Sequence, residues 1–224
     1  MINRKKNRGF TLIEIAIVLV IIGLLLGGVL KGQELINSAK VKNFATDFRN
    51  IPLYIYGYQD KFKALPGDDP RAATNVTGAT PATTPAGLQG NAVIDGAWNT
   101  TSATDESCLF WQHVRLAGLA AGTTTVNCAA NDDYWPKNAD GGQIGIQSNG
   151  NNPGFTTITG MTGTYIICSQ GILGKYVKQL DVLLDDKETS TGSLRAILTT
   201  AIPGAAVTSA AIVDSSSYTV CMGV

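Results

Sequence analysis

Two hydrophobic patterns follow one another along the first third of the chain. Residues 10–30 form an apolar run of 21 residues with a single ionisable side chain, Glu14. As a helix this run would be about 32 Å long, close to the ~30 Å thickness of bilayer hydrocarbon. Further on, apolar residues recur every three or four positions, as on one face of an amphipathic helix; they are Val41, Phe44, Phe48, Ile51, Ile55, Tyr58 and Phe62.

These patterns predict one helix from residue 10 to about residue 62. Its first half, residues 10–32, would cross a membrane, and its second half, residues 33–65, would pack on a globular head. Pro52 lacks an amide hydrogen and predicts a kink in the second half. Two prolines and a glycine in residues 65–70 end the helix.

The remaining residues, 66–224, predict a head of short elements separated by loops. Residues 71–104 are rich in Ala, Thr, Gly and Asn and predict a long loop with short extended pieces, for instance at residues 91–94. Short helices are predicted at residues 105–121, ended by Gly122, and at residues 172–184. Strands are predicted at residues 143–147, 155–169, 194–199 and 218–222. The fold class is therefore α+β: a long N-terminal helix packed on a small antiparallel sheet with short extra helices.

The formal charge is zero, with 17 basic and 17 acidic residues. Four of the basic residues, Arg4, Lys5, Lys6 and Arg8, precede the apolar run, which leaves 13 basic against 17 acidic residues in the rest. The positive-inside rule then places residues 1–9 in the cytoplasm and the head outside. A balanced charge argues against a strongly basic nucleic-acid surface, so no nucleic-acid partner is expected.

A secretory signal peptide and a plain membrane anchor are the simplest explanations of the apolar run. No A-x-A pattern for signal cleavage follows it. A carboxylate such as Glu14 is costly inside a membrane and would gain a plain anchor nothing. Glu14 therefore indicates a function for the segment itself.

The sequence RGFTLIEIAIVLVIIGLL resembles the N-terminus of type IV prepilins and of the related type II secretion pseudopilins. In this resemblance residues 1–9 are a leader peptide that ends at Gly9, the mature chain begins at Phe10, and Glu14 follows four residues later. The resemblance implies cleavage between Gly9 and Phe10 by a membrane prepilin peptidase, which also N-methylates Phe10. It implies no enzymatic role and no cofactor.

Cleavage would leave a charged amine on Phe10 in an apolar environment, where an unpaired charge is costly. We expect Glu14 of one subunit to pair with the Phe10 amine of a neighbour and so to fix the register between helices. Two G-x-x-x-G patterns, from Gly23 to Gly27 and from Gly28 to Gly32, permit close approach of helices. Pilins often have a helix-breaking proline here; because this chain has none before Pro52, we hypothesise that these glycines loosen the helix on assembly.

The four cysteines all lie on the outer, oxidising side of the membrane in this topology. Three pairings are possible, and the sequence alone does not choose. We favour Cys108 with Cys128, which closes a short loop after the small helix, and Cys168 with Cys221, which joins two predicted strands. A zinc site is disfavoured because no C-x-x-C pair occurs. Within the resemblance, pilins commonly close a C-terminal loop by a disulfide and pseudopilins usually do not, so the expected disulfide favours a pilin.

Acidic pairs occur at Asp68 and Asp69, at residues 132–133, and at Asp185 and Asp186. Carboxylate oxygens in loops can bind calcium, so these pairs are weak calcium candidates. None of the pairs has the spacing of an EF-hand, and we interpret them as solvated turn residues. The sequence therefore predicts no metal site. The chain has one histidine, His113. Its sequence contains no nucleophile motif, such as G-x-S-x-G, with which this histidine could act, so no catalytic residue is predicted.

The favoured functional hypothesis is a structural subunit of a type IV pilus. It would be stored in the inner membrane with its head in the periplasm, then polymerised by the pilus assembly machinery into a homo-oligomeric helical surface filament. The alternative is a minor pilin or type II secretion pseudopilin with a role in tip adhesion, DNA uptake or secretion. An anchored periplasmic enzyme or ligand-binding protein is disfavoured by Glu14 and the leader.

Overall fold

The computed structural model describes residues 12–130, 132–150 and 157–224. The chain divides into two compact units, Met1–Ala39 and Lys40–Val224. Helix α1 is Leu12–Phe62 and is continuous. Its first part belongs to the Met1–Ala39 unit and its second part to the Lys40–Val224 unit. The predicted long helix is confirmed over the described residues, and the helix passes through Pro52 without interruption.

The second part of α1 packs against the head, residues 66–224, within the Lys40–Val224 unit. The predicted apolar stripe is buried from Val41 to Tyr58, and Phe62 is half-buried beside it. On other faces of the same helix, Leu53 and Tyr56 are largely exposed. The helical period of the apolar residues therefore decides which side of α1 faces the core.

The head contains a four-stranded antiparallel sheet in the order β1-β2-β4-β3. Strand β1 is Ile144–Ser148, β2 is Tyr165–Leu173, β3 is Leu194–Leu198 and β4 is Ser217–Gly223. The C-terminal strand β4 lies inside the sheet between β2 and β3. The predicted α+β architecture is confirmed. The prediction for β2 was wrong at both ends: residues 157–164 contain only an isolated bridge at Ile158, and the strand continues to Leu173 across a bulge after Ser169.

Three short helices accompany the sheet: α2 is Ala72–Asn75, α3 is Glu106–Leu116 and α4 is Gly174–Leu184. Helix α2 was not predicted, and the expected extended piece at residues 91–94 is not a strand. The amides of Asn91 and Ala92 donate to the Asp68 carboxylate, at 3.3 Å and 2.7 Å, rather than to a neighbouring strand.

Helix α3 ends earlier than predicted, at Leu116 instead of residue 121. Gly118 has a φ of 77°, a left-handed conformation that suits glycine at a helix end. The Leu119 amide donates to the Val114 carbonyl at 2.9 Å, and the Gly118 amide donates to the Arg115 carbonyl at 3.0 Å. These two bonds form a Schellman motif, so Gly118 rather than Gly122 ends the helix.

One main core joins α1, α3, α4 and the inner face of the sheet, and a smaller cluster surrounds Trp98. Disulfides join Cys108 to Cys128, with Cα atoms 6.2 Å apart, and Cys168 to Cys221, with Cα atoms 4.1 Å apart. Cys168 and Cys221 are register partners on β2 and β4. These pairings are the two that the sequence analysis favours.

Candidate assembly segment

The first part of α1 exposes apolar side chains on all of its faces. Its most apolar 18-residue window has a mean hydropathy of 2.8, and no residue of that window is buried. This is the length and composition of a helix that crosses a membrane. A helix that is apolar all round requires a lipid environment or protein partners on every side. The exposed residues include Leu12, Ile13, Ile15, Ile17, Val18, Leu19, Val20, Ile21, Ile22, Leu24, Leu25, Leu26, Val29 and Leu30.

Glu14 lies in the first turn of the described helix and is exposed. A carboxylate is favoured at this end of a helix because the backbone dipole is positive there. The two predicted processing residues, Gly9 and Phe10, lie outside the described residues. The cleavage, the methylation and the pairing of Glu14 with Phe10 therefore stay predictions.

The four glycines of the G-x-x-x-G patterns face open space. A Cβ atom added at Gly23, Gly27, Gly28 or Gly32 would meet nothing within 4 Å. The small size of these residues therefore serves no packing within the described part of the chain. It leaves shallow surfaces on which another helix can approach closely.

Residues 4–30 match the family described as the prokaryotic N-terminal methylation motif. The chain carries the prepilin signature of type IV pilins and pseudopilins. This match covers residues 4–30, which include the apolar start of α1, and it ends before the head. No curated protein and no solved structure matches the chain.

His113 of the head is enclosed by backbone groups. Its Nδ1 accepts the Gly67 amide at 2.9 Å, so that Nε2 carries the proton and donates to the Thr80 carbonyl at 2.9 Å. Burial lowers the pKa of His113, which favours this neutral tautomer. Both ring nitrogens are engaged, in agreement with a structural role.

The acidic pair of Asp68 and Asp69 organises the loop after α1. Asp68 accepts the amides of Gly90, Asn91 and Ala92, and Asp69 accepts the Tyr58 hydroxyl at 2.9 Å. Both carboxylates are buried. Their oxygens are committed to the fold, which weakens them as the calcium candidates that the sequence suggested.

The sequence did not single out Glu106, because an acidic residue in the first turn of a helix is common. It is fully buried, and its Oε1 has no hydrogen-bond partner among the described residues. Its Oε2 accepts the Asp95 amide at 2.8 Å. Burial, with the nearby charges of Asp68 and Asp95, raises the pKa of Glu106 to about 8 despite that bond.

The third group of acids lies at the end of α4. Asp185 and Asp186 are joined there by Asp181, and one carboxylate oxygen of each lies within 4.8 Å of the others. Asp181 was not a predicted site residue, since it lies four positions before the pair and inside an amphipathic helix. The four-residue spacing of Asp181 and Asp185 was the available signal, because it places both on one helix face.

Proposed function

We propose that the chain is the structural subunit of a type IV pilus, processed after Gly9 and polymerised into a helical surface filament. The observation that carries this is the combination of the methylation motif at residues 4–30 with a fully exposed apolar helix. A helix of this kind is stable in the inner membrane and, after assembly, among copies of itself. In this proposal, residues 1–9 are removed and residues 10–32 form the filament core. Residues 33–65 link that core to the head, 66–224, which lies in the periplasm and then on the filament surface.

The proposed assembly begins with the prepilin peptidase, which removes the leader and methylates Phe10. The new amine of Phe10 pairs with Glu14 of a neighbouring subunit. Pairing offsets the cost of two charges in an apolar filament core and sets the axial step between subunits. Repeated head-to-tail contacts that do not close then give a filament rather than a ring. The inner-membrane pilus assembly machinery would drive this step, and the chain itself needs no catalytic activity.

The test compares Glu14→Ala with Glu34→Ala in cells that depend on this chain for filaments. Glu34 is a matched control because it lies on the same helix, is 70% exposed and pairs with nearby Lys31 at 2.7 Å. We expect Glu14→Ala to lower the yield of sheared filaments by about tenfold or more, while the variant still accumulates in the membrane. Glu34→Ala should assemble normally. Normal filament yield from Glu14→Ala would refute the proposal.

A minor pilin or a type II secretion pseudopilin is the second candidate. The observation that favours it is the long stretch between α2 and α3, which contains no regular helix or strand. Loops of this kind commonly carry binding residues, as tip adhesion, DNA uptake or secretion would need. Mass spectrometry of sheared filaments separates the candidates: a major subunit dominates the filament and begins at methylated Phe10, whereas a minor subunit is a trace component.

A further inference from the structure

The end of helix α4 and the turn that follows it bring three carboxylates together. Asp181 lies in the last turn of α4, Asp185 directly follows the helix, and Asp186 comes next. One oxygen from each lies within 4.8 Å of the others. Because Ca²⁺ binds oxygen at about 2.4 Å, oxygens at this separation can share a single ion.

Asp181 is the member that distinguishes this cluster from an ordinary acidic turn. Its side chain is fully buried, and neither carboxylate oxygen has a hydrogen bond from the described residues. A buried carboxylate without a partner is costly, and a cation would remove that cost.

The other two carboxylates are held in place by the turn. Asp185 Oδ2 accepts the Leu194 amide at 2.7 Å. Asp186 accepts the Glu188 amide at 2.9 Å and the Thr191 hydroxyl at 2.7 Å. Bonds of this kind orient metal ligands without using all of their lone pairs.

Basic side chains do not neutralise the cluster. None of the three acids forms an ion pair with a lysine or arginine among the described residues. The hydrogen bonds from the Thr191 hydroxyl and the Glu188 amide lower the pKa of Asp186, and the charge of Arg195 adds a smaller effect. Its guanidinium, however, donates to the Gly192 and Thr159 carbonyls at 3.3 Å and 3.1 Å.

We propose that Asp181, Asp185 and Asp186 bind one calcium ion at the junction of α4 and β3. All three ligands are hard carboxylate oxygens, which suit Ca²⁺ rather than zinc or copper. Irregular positions around a turn suit its flexible coordination better than the strict octahedron of Mg²⁺. Because Asp185 also holds the first residue of β3, the ion would fasten α4 to the sheet. This inference concerns the head alone and does not depend on whether the chain forms a pilus.

The test uses the full-length chain in detergent micelles at neutral pH, first with a chelator and then with calcium chloride. We expect one calcium ion to bind with a dissociation constant of about 0.1 to 1 mM and to raise the melting temperature. Asp181→Asn should bind calcium at least about tenfold more weakly. With chelator present it should melt at or above the wild-type temperature, because it removes an unpaired buried charge.

Two further variants keep the test decisive. Asp186 is exposed, so the Asp186→Asn variant should fold normally. It should also bind calcium more weakly than the wild type. Asp133 is an exposed acid of another acidic pair, so the Asp133→Asn variant should bind calcium as the wild type does. The proposal is overturned if the wild type binds no calcium up to about 5 mM. It is equally overturned if Asp181→Asn and Asp186→Asn bind as tightly as Asp133→Asn.

Discussion

Glu106 and Asp181 are both fully buried carboxyl groups. They meet the cost of burial in different ways. The pKa of Glu106 is raised to about 8, so the group keeps its proton at neutral pH. The pKa of Asp181 is raised less, to about 6, and in the proposed calcium site the bound cation balances the charge of this carboxylate.

The proton on Glu106 makes the stability of the head depend on pH. Its pKa in the folded chain lies above the unfolded value of 4.5, so folding takes up a proton between these values. The contribution of Glu106 is therefore complete below about pH 4.5 and is lost as the pH rises through about 8. We expect Glu106→Gln, which is neutral at every pH, to be more stable than the wild type above pH 8 by roughly 1–3 kcal/mol.

Urea unfolding of the full-length chain in detergent at about pH 5 and pH 9 measures this difference. Near pH 5 the free energy of unfolding should be similar for the two proteins. Asp47 and Asp181 also have pKa values raised to about 6, but they titrate in both proteins and cancel in the comparison. Exposed Glu34→Gln should show no such pH dependence; an equal effect there would assign the change to net charge.

At the scale of elements, the apolar start of α1 exposes a surface on which other apolar molecules can pack. Gly27 and Gly28 have open space where a side chain would project. We expect Gly27→Leu and Gly28→Leu to leave the precursor helical and membrane-bound, because leucine favours helices more than glycine by about 1 kcal/mol. We expect the same variants to lower filament yield, because the larger side chain keeps neighbouring helices apart.

Circular dichroism of the purified precursor and the amount of sheared filament give the two readouts. Leu24→Met is the matched control, because Leu24 is exposed on the same helix and the substitution preserves its volume. Wild-type filament yield from both glycine variants would show that these surfaces do not meet in the assembled filament.

The predicted elements were right where local patterns determine the structure. The apolar stripe of α1 predicted which residues would be buried, since a helical period is a property of the sequence itself. The predicted end of α3 was wrong because either of two glycines, Gly118 or Gly122, could have ended the helix. Leu119 packs against the side of α1 at Gly57, a distant contact that favours the earlier stop at Gly118.

The loops and the buried acids depend on residues that are far apart in the sequence. Asp68 receives amides from residues more than twenty positions away, so no local pattern predicts the shape of that loop. The acidic pair Asp185 and Asp186 was visible as a candidate, but only the fold shows that Asp181 is buried beside it. The N-terminal motif was recognisable because its chemistry is contained within a few consecutive residues.

At the scale of the whole molecule, the two disulfides constrain the head to different degrees. Cys168 and Cys221 are separated by 53 residues, and Cys108 and Cys128 by 20. The 168–221 bond fixes the C-terminal strand β4 to β2, inside the sheet. The chain-entropy model gives about 4 kcal/mol for the longer loop and about 3 kcal/mol for the shorter one.

We therefore expect Cys168→Ala with Cys221→Ala to destabilise the head more than Cys108→Ala with Cys128→Ala, by about 1 kcal/mol. All four cysteines are almost completely buried, so the alanines create comparable cavities in both variants and the loop length accounts for the difference. Urea unfolding of the two double variants in detergent, each with its remaining disulfide intact, measures it. Equal free energies, or the reverse order, would mean that packing around the sulfurs, rather than the length of the closed loop, determines how each bond stabilises the head.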